Sequence, residues 1–173
     1  IVDNLCNTST QNIDGIEKII EKKVKWHNVD CTDKDSMNKV FTEHRKIEGV
    51  IHFAAYKAVE ESVENPQKYY DNNMGSLEVV LKCMQEHDVK NIIFSSSCTV
   101  YGMPDVLPVD ENAPFKKAES PYGETKQICE GMLKADTCNS VALRYFNPIG
   151  SHTSALIGDC SADRPSNLVP IIT

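Results

Sequence analysis

Ser97, Tyr122 and Lys126 combine residue types and a spacing that could move a proton. Ser120 followed by Pro121 predicts the start of a helix, because a serine hydroxyl caps the first turn and proline is favoured at its first position. Tyr122 and Lys126 then lie four residues apart on one face of that helix. A nearby ammonium lowers the pKa of a tyrosine, so Tyr122 could accept and return the proton of a substrate hydroxyl. The Ser97 hydroxyl could hold the same oxygen.

A tyrosine and a lysine four residues apart also occur in helices without a catalytic role, so the order of the surrounding segments matters. The apolar run Ile92–Phe94 ends in three serines, a polar, proline-containing segment at 102–120 follows, and the predicted helix begins after it. A loop of that length inside a compact domain is often functional. This order favours the catalytic interpretation of Tyr122 and Lys126.

Short apolar runs rich in β-branched residues recur at Val24–Val29, Val50–Phe53, Ile92–Phe94 and Val141–Phe146. Runs that are nearly continuous, rather than alternating, are typical of strands buried on both faces of a parallel sheet. Segments with helical spacing lie between them, with apolar stripes within residues 13–20, 37–41 and 77–84. The alternation predicts an α/β fold whose right-handed crossovers place helices on both faces of the sheet.

The ends of these runs are the places to look for a ligand, because ligands of open α/β sheets bind beyond the carboxyl ends of the strands. The residues there are Asp3 and Asn4, Asp30 and Cys31, residues 54–57, Ser95–Ser97, and Asn147 with Pro148. Several also have a purely structural interpretation. Asp3 and Asn147 are common in turns, and Lys57 suits a solvated surface.

The composition narrows the possible partners. The chain has 173 residues and a net charge of −7, so we expect neither nucleic acid nor an anionic membrane surface as a partner. Its longest apolar stretch is far shorter than the ~20 residues of a membrane span. The seven cysteines are scattered without a CxxC pair, which predicts no metal site and fits the reducing cytoplasm.

Seven stretches occur in the order of one known family and nearly with its spacing: VDNLCN (2–7), VIHFAAYKAVEESVENP (50–66), YYDNN (69–73), NIIFSSSCTVYG (91–102), SPYGETKQICE (120–130), LRYFNPIGSH (143–152) and NLVP (167–170). Together they resemble the extended short-chain dehydrogenase/reductase family, and within it the UDP-glucose 4-epimerase branch. Ser97 and Tyr122 are 25 residues apart, as in that family. The combination of SSSxTVYG with RYFNPxG separates this branch from most of its relatives.

The resemblance implies a Rossmann-like, doubly wound sheet that binds NAD across its upper edge and a UDP-hexose beside the cofactor. Tyr122 would take the proton of the sugar 4-hydroxyl while hydride leaves carbon 4 for NAD. The 4-keto sugar would turn over and take the hydride back on its other face, which interconverts UDP-glucose and UDP-galactose in galactose metabolism. Enzymes of this group are often homodimers, so a homodimer is possible for the full-length protein.

The resemblance also implies roles for individual residues. The catalytic residues would be Ser97, Tyr122 and Lys126. In the adenosine half of the cofactor, Asp3 and Asn4 would contact the ribose, and Asp30 and Cys31 the adenine. Phe53, Ala54 and Ala55 would lie on the pyrophosphate side, and Lys57 and Lys126 would contact ribose hydroxyls. Asn72, Tyr122 and Tyr145 would lie near the nicotinamide. The UDP-sugar contacts would be Lys57, Ser97, Tyr122, Asn147, Asn167 and Leu168.

The chain departs from the family pattern in three ways. It has no glycine-rich phosphate loop, since it begins at what would be the end of the second strand, and it stops before the family's C-terminal segments. The stretch YYDNNMGS is one residue shorter than the pattern, and Glu60 stands where glycine is common. We expect residues 1–150 to form an NAD-binding domain without its first strand, and residues 151–173 to begin the sugar-nucleotide region. The chain alone should bind NAD poorly and show little activity.

Two alternatives stay open. The first alternative is another nucleotide-sugar enzyme of the same family. It could be a 4,6-dehydratase, a decarboxylase or an N-acetylhexosamine 4-epimerase. A dehydratase needs an acid and a base beside the serine, and residues 96–99 include no carboxylate. The other alternative is a non-catalytic NAD-binding regulatory protein, which would have no need of Ser97, Tyr122 and Lys126 together.

Overall fold

The structure, a computed structural model, describes residues 1–159, which belong to two compact units. The smaller unit contains residues 1–29 and the described residues from 147 onward, and the larger unit runs from Asp30 to Phe146. Each unit has its own parallel sheet. None of the helices in the described residues has the length and apolar character needed to cross a membrane.

The smaller unit consists of two short strands and one helix. Strands β1 (Val2–Asp3) and β2 (His27–Asn28) are parallel neighbours, and helix α1 (Gln11–Ile20) lies between them in the sequence. At Gly15 in α1, a Cβ atom would lie only 2.1 Å from the carbonyl oxygen of Leu156. Glycine at position 15 therefore permits the close approach of these two segments.

The larger unit is built on three parallel strands in the order β3 (Val50–His52), β4 (Asn91–Ser97) and β5 (Asn139–Tyr145). Its helices are α2 (Lys34–Glu43), α3 (Val59–Glu64), α4 (Pro66–Tyr69), α5 (Gly75–Glu86) and α6 (Pro121–Ala135). Two short turns complete it, a π-helical turn (Tyr70–Met74) before α5 and a 3-10 turn (Cys98–Tyr101) after β4. Strands and helices alternate, which confirms the predicted α/β class.

The register of the larger sheet brings the ends of β4 and β5 to one edge. Ser97, the last residue of β4, is opposite Tyr145, the last residue of β5. His52, at the end of β3, is opposite Phe94. Side chains that follow these strands therefore meet near the same edge, where the sequence predicted a ligand site.

The two faces of this sheet differ in burial. His52, Phe94 and Ser96 are buried, and α6 packs against β4 and β5 on that side. The opposite face carries apolar side chains that are exposed among the described residues, namely Ile51 (63%), Ile93 (38%) and Val141 (55%). The buried face is thus the one that supports α6 and its side chains.

The observed strands begin and end at different residues from the apolar runs that predicted them. Both β4 and β5 begin one or two residues earlier than predicted, since Asn91 and Asn139 already pair in the sheet. The run Val24–Val29 forms a strand only at His27–Asn28. Pairing with a neighbouring strand, rather than apolar character alone, sets where a strand begins and ends.

Candidate functional site

Helix α6 begins as the sequence predicts and carries two of the three catalytic candidates. The Ser120 hydroxyl accepts a hydrogen bond from the Gly123 amide (3.1 Å), and Pro121 is the first helical residue. A Cβ atom at Gly123 would lie 3.3 Å from both the Cβ and the carbonyl oxygen of Thr99. The first turn of α6 therefore lies directly against the turn that follows β4, which brings Tyr122 close to the end of that strand.

Ser97 occupies the end of β4 and interacts with Tyr122. Its side-chain oxygen accepts the amide N–H of Thr99 (3.2 Å), which caps the 3-10 turn. Because the oxygen is an acceptor in that bond, the hydroxyl proton can be donated elsewhere. The interaction with the Ser97 hydroxyl acts to lower the pKa of Tyr122, which favours its phenolate. The predicted catalytic roles of Ser97 and Tyr122 stay predictions.

Lys126 is buried beside this pair, with 3% of its surface exposed. Its Nζ donates a hydrogen bond to the Ser95 carbonyl (2.8 Å). The same atom lies 4.8 Å from the centre of the Phe94 ring and 5.7 Å from that of the Tyr122 ring. Burial lowers the pKa of Lys126 to about 8. The structure therefore brings Ser97, Tyr122 and Lys126 together at the end of β4.

The pKa of Tyr122 differs from the sequence-based expectation. Burial raises this pKa above its usual value of 10.0, and the hydrogen bond from Ser97 opposes the rise. The predicted lowering by Lys126 is wrong, because the amine is bonded to a backbone carbonyl and faces the tyrosine ring instead of its oxygen. Ser97, rather than Lys126, is the partner that stabilises the phenolate in this chain.

The residues after β3 form a neighbouring part of the same edge. Phe53 is exposed, and the centre of its ring lies 6.4 Å from that of Tyr145 at the end of β5. The Ala54 carbonyl accepts a hydrogen bond from a serine of α5 (3.4 Å), Ala55 is half-buried and Lys57 is exposed. Phe53, directly after β3, is therefore close in space to Tyr145 at the end of β5. Both are cofactor candidates.

Asp30 and Cys31 lie in the turn before α2. The Asp30 carboxylate accepts both the amide N–H and the hydroxyl of Thr32, at 2.8 and 2.7 Å. This contact with a residue two positions ahead is typical of aspartate in turns. Cys31 is half-buried. Their role at the adenine stays a prediction.

Asn72 and Asn73 lie in the π-helical turn before α5. The half-buried Asn72 donates its side-chain N–H to Asn73 Oδ1 (3.0 Å). Asn73 is buried, accepts the amide N–H of Tyr56 (2.8 Å), and donates to the Tyr56 carbonyl (3.0 Å) and to Thr125 Oγ1 (3.4 Å). Sequence reasoning selected Asn72 and missed Asn73. The signal for a structural role was the pair itself, since two adjacent asparagines are unusual inside a helical segment.

The remaining candidates that the structure describes lie in the smaller unit. Asp3 is the last residue of β1 and Asn4 follows it. Each side chain accepts the amide N–H of the residue two positions ahead, at 2.7 and 3.1 Å. Asn147 is exposed. Asn167 and Leu168 lie outside the described residues. The turn interpretation of Asp3 therefore agrees with its hydrogen bond, and its contact with a ribose stays a prediction.

The fold and the site together define a class, the Rossmann-like α/β proteins, in which a serine at a strand end faces a tyrosine and a lysine on the next helix. The chain matches the NAD dependent epimerase/dehydratase family over residues 2–169 and belongs to that family.

Individual relatives agree with this membership and confirm the predicted fold class. UDP-glucose 4-epimerase of Dictyostelium discoideum is 45% identical, covering 100% of this chain and 51% of its own length. That of Bacillus subtilis is 42% identical, covering 99% of this chain and 52% of its own. The crystal structure of UDP-glucose 4-epimerase from Bifidobacterium longum in complex with NAD+ and UDP has a TM-score of 0.95 and 46% identity, covering 99% of this chain and 52% of its own. The chain thus spans about half the length of the curated relatives it matches.

Proposed function

We propose that the full-length protein carrying this chain uses NAD to interconvert UDP-glucose and UDP-galactose, an isomerase reaction of galactose metabolism. The observation that carries the proposal is the convergence of Ser97, Tyr122 and Lys126 at the end of β4. The first turn of α6 lies against Thr99, and Lys126 Nζ lies 5.7 Å from the centre of the Tyr122 ring. The names of the relatives from D. discoideum and B. subtilis support it, as does the similar structure from B. longum, which contains NAD+ and UDP.

Each catalytic residue has a distinct task in this reaction. Tyr122 takes the proton of the sugar 4-hydroxyl and later returns it. Ser97 donates a hydrogen bond to the phenol oxygen, which stabilises its negative charge while the proton is away. Lys126 has three N–H donors, of which the Ser95 carbonyl takes one, so it can also bind a ribose hydroxyl of the cofactor. The chemistry that NAD supplies when bound is the acceptance and return of hydride at carbon 4.

The residues at this sheet edge fit a dinucleotide. Phe53 and Tyr145 present two adjacent exposed rings, a surface suited to packing against a flat heterocycle. Ala54 and Ala55 have small side chains, which allow a bound group to approach the backbone. Lys126 supplies hydrogen-bond donors at the same edge. The other cofactor and sugar contacts named from the sequence stay predictions.

Replacement of Tyr122 by phenylalanine tests the proposed function. In the full-length protein, Y122F should lower the rate of UDP-galactose formation from UDP-glucose by at least about a hundredfold, because general acid and base catalysis typically contributes that much. NAD should stay bound, since the ring is kept. Y70F is the matched control, because the Tyr70 hydroxyl bonds to Glu124 and not to the catalytic group. A near-normal rate in Y122F would exclude Tyr122 as the base.

Product identity separates this function from the alternatives of the same family. With UDP-glucose as substrate, the proposed activity yields UDP-galactose, a 4,6-dehydratase yields a 4-keto-6-deoxy sugar, and a decarboxylase acting on its own substrate yields a pentose. Transient NADH fluorescence on addition of the sugar nucleotide would exclude a purely regulatory NAD-binding protein. Conversion of an N-acetylated UDP-hexosamine by the same protein would widen the substrate class.

The proposal also covers the cellular location of the protein, its oligomeric state and its domain boundaries. The six described cysteines are free thiols, which supports a reducing, cytoplasmic setting. A homodimer of the full-length protein rests on the family resemblance and is tested by analytical ultracentrifugation. The division into an NAD-binding part (1–150) and the start of a sugar-nucleotide part (151–173) rests on the same resemblance.

A further inference from the structure

Buried Glu130 in α6 and half-buried Arg144 in β5 form an ion pair that the proposed reaction does not use. Arg144 Nε donates to Glu130 Oε1 (2.9 Å), and Arg144 Nη2 donates to Glu130 Oε2 (2.8 Å). Glu130 is only 2% exposed. A two-point contact of this kind fixes the relative orientation of both groups as well as their distance. The pair therefore sets how α6 lies against β5.

The two side chains also form hydrogen bonds with three more segments of the larger unit. Glu130 Oε1 also accepts the Ser96 hydroxyl (2.6 Å), which belongs to β4. Arg144 Nη1 donates to the Tyr101 hydroxyl (3.0 Å) and to the Glu111 carbonyl (3.1 Å). One ion pair thus connects β4, β5, α6, the 3-10 turn and the segment between β4 and α6.

These attachments lie next to the catalytic candidates. Ser96 directly precedes Ser97 in β4, and Glu130 lies one helical turn beyond Lys126 in α6. Ser97 and Tyr122 belong to the two elements that the pair holds together. A change in the position of either element would therefore alter the geometry between Ser97 and Tyr122.

Hydrogen bonding favours the charged form of Glu130 despite its burial. Burial alone raises the pKa of Glu130, but the hydrogen bonds from Arg144 and Ser96 outweigh it and leave this pKa below the usual value. The hydrogen bond to Glu130 raises the pKa of Arg144. A buried ion pair often stabilises a protein no more than apolar residues of similar size. The geometry that the pair fixes is thus a better explanation for it than stability.

We propose that Glu130 and Arg144 are positioning residues, which hold Ser97 and Tyr122 at the distance and angle needed for proton transfer. The inference rests on the proposed function, in which Ser97 supports the base. Catalytic geometry is sensitive, since a misplacement of about 1 Å can lower a rate about a hundredfold.

The test uses the full-length protein with E130Q and R144M. Glutamine keeps the shape of Glu130 and removes its charge. The matched control is E86Q, which breaks the exposed ion pair of Lys34 with Glu86 (2.8 Å) between α2 and α5. We expect kcat for UDP-galactose formation to fall at least about tenfold in E130Q and R144M. KM for the sugar nucleotide should change less than about twofold, since neither side chain is assigned to ligand binding. E86Q should retain the wild-type values.

The double variant E130L/R144M separates positioning from stability. Two apolar residues can replace a buried ion pair without loss of stability, so we expect a melting temperature close to that of the wild type. The kcat should stay low, because the two-point contact and the bond to Ser96 are both lost. A double variant with both the kcat and the melting temperature of the wild type would overturn the proposal. A folded E130Q protein with the kcat of the wild type would also overturn it.

Amide hydrogen exchange tests the positioning independently of catalysis. The Thr99 amide donates to Ser97, so it reports on the end of β4, whereas the Ile93 amide reports on the middle of the same strand. In E130Q we expect faster exchange at Thr99 and an unchanged rate at Ile93, and in E86Q no change at either. If the wild-type protein has no epimerase activity, the proposed function is refuted. The exchange pattern expected for E130Q would still support the positioning role of Glu130 in that case. An unchanged Thr99 rate in E130Q would refute the positioning whatever the activity.

Discussion

Two opposing influences act on the Tyr122 hydroxyl. Burial raises its pKa, and the hydrogen bond from Ser97 lowers it. Lys126, whose own pKa burial lowers to about 8, faces the ring and bonds to the Ser95 carbonyl. A base must be ionised before it can accept a proton, so the Ser97 hydroxyl affects the rate through ionisation as well as through orientation.

S97A should therefore shift the pH dependence of the reaction to higher pH. Without the bond from Ser97, the pKa of Tyr122 rises further, and a smaller fraction is phenolate at any pH below that value. We expect kcat at neutral pH to fall roughly a hundredfold, as when one donor to a developing negative charge is removed. The measurement is kcat against pH for the full-length wild type, S97A and S97T. The threonine variant keeps a hydroxyl and should restore much of the profile, whereas superposed wild-type and S97A profiles would contradict this role.

Among the elements, the π-helical turn before α5 has the clearest structural task. Its Asn73 side chain binds both backbone groups of Tyr56, after β3, and the hydroxyl of Thr125 in α6. Thr125 directly precedes Lys126. One buried amide thus connects the segment that holds Ala54 and Lys57 to the helix that holds the catalytic candidates.

N73A should lower the free energy of unfolding of the full-length protein by about 2 to 3 kcal/mol, because it removes the buried Asn73 amide and its two hydrogen bonds with the backbone of Tyr56. N112A is the control, since Asn112 is exposed, and its effect should stay within about 0.5 kcal/mol. Urea unfolding measures both values. Equal effects of the two substitutions would show that Asn73 does not hold these segments together.

At the scale of the whole molecule, the chain spans about half the length of the relatives it matches. Its sequence includes no glycine-rich phosphate loop, which in dinucleotide folds supplies backbone N–H groups to the pyrophosphate. The larger unit also exposes Ile51, Ile93 and Val141 on one face of its sheet. From the family resemblance, we expect residues outside these 173 to contribute to cofactor binding in the full-length protein.

The 173-residue chain alone should therefore bind NAD more weakly than the full-length protein. We expect a difference of at least about tenfold in Kd, equivalent to about 1.4 kcal/mol. Calorimetric titration with NAD compares the two proteins, and full-length Y122F serves as a binding-competent, inactive reference. Equal Kd values for the chain and the full-length protein would contradict the expectation.

Local patterns in the sequence determined much of this protein. Ser120 and Pro121 predicted the start of α6, because a helix cap acts within three residues of itself. Apolar runs rich in β-branched residues predicted the strands, because such residues favour the strand conformation. The motifs around Ser97 and Tyr122 predicted the family.

Only the tertiary structure decided the electrostatics and the supporting contacts. The pKa of Tyr122 rises because segments far apart in the sequence bury it, and Lys126 bonds to a carbonyl 31 residues away. Glu130 finds Arg144 on a different element, and Asn73 reaches Tyr56 in the segment after β3. Desolvation and hydrogen bonding depend on which atoms surround a group in three dimensions, and a linear pattern does not specify those atoms.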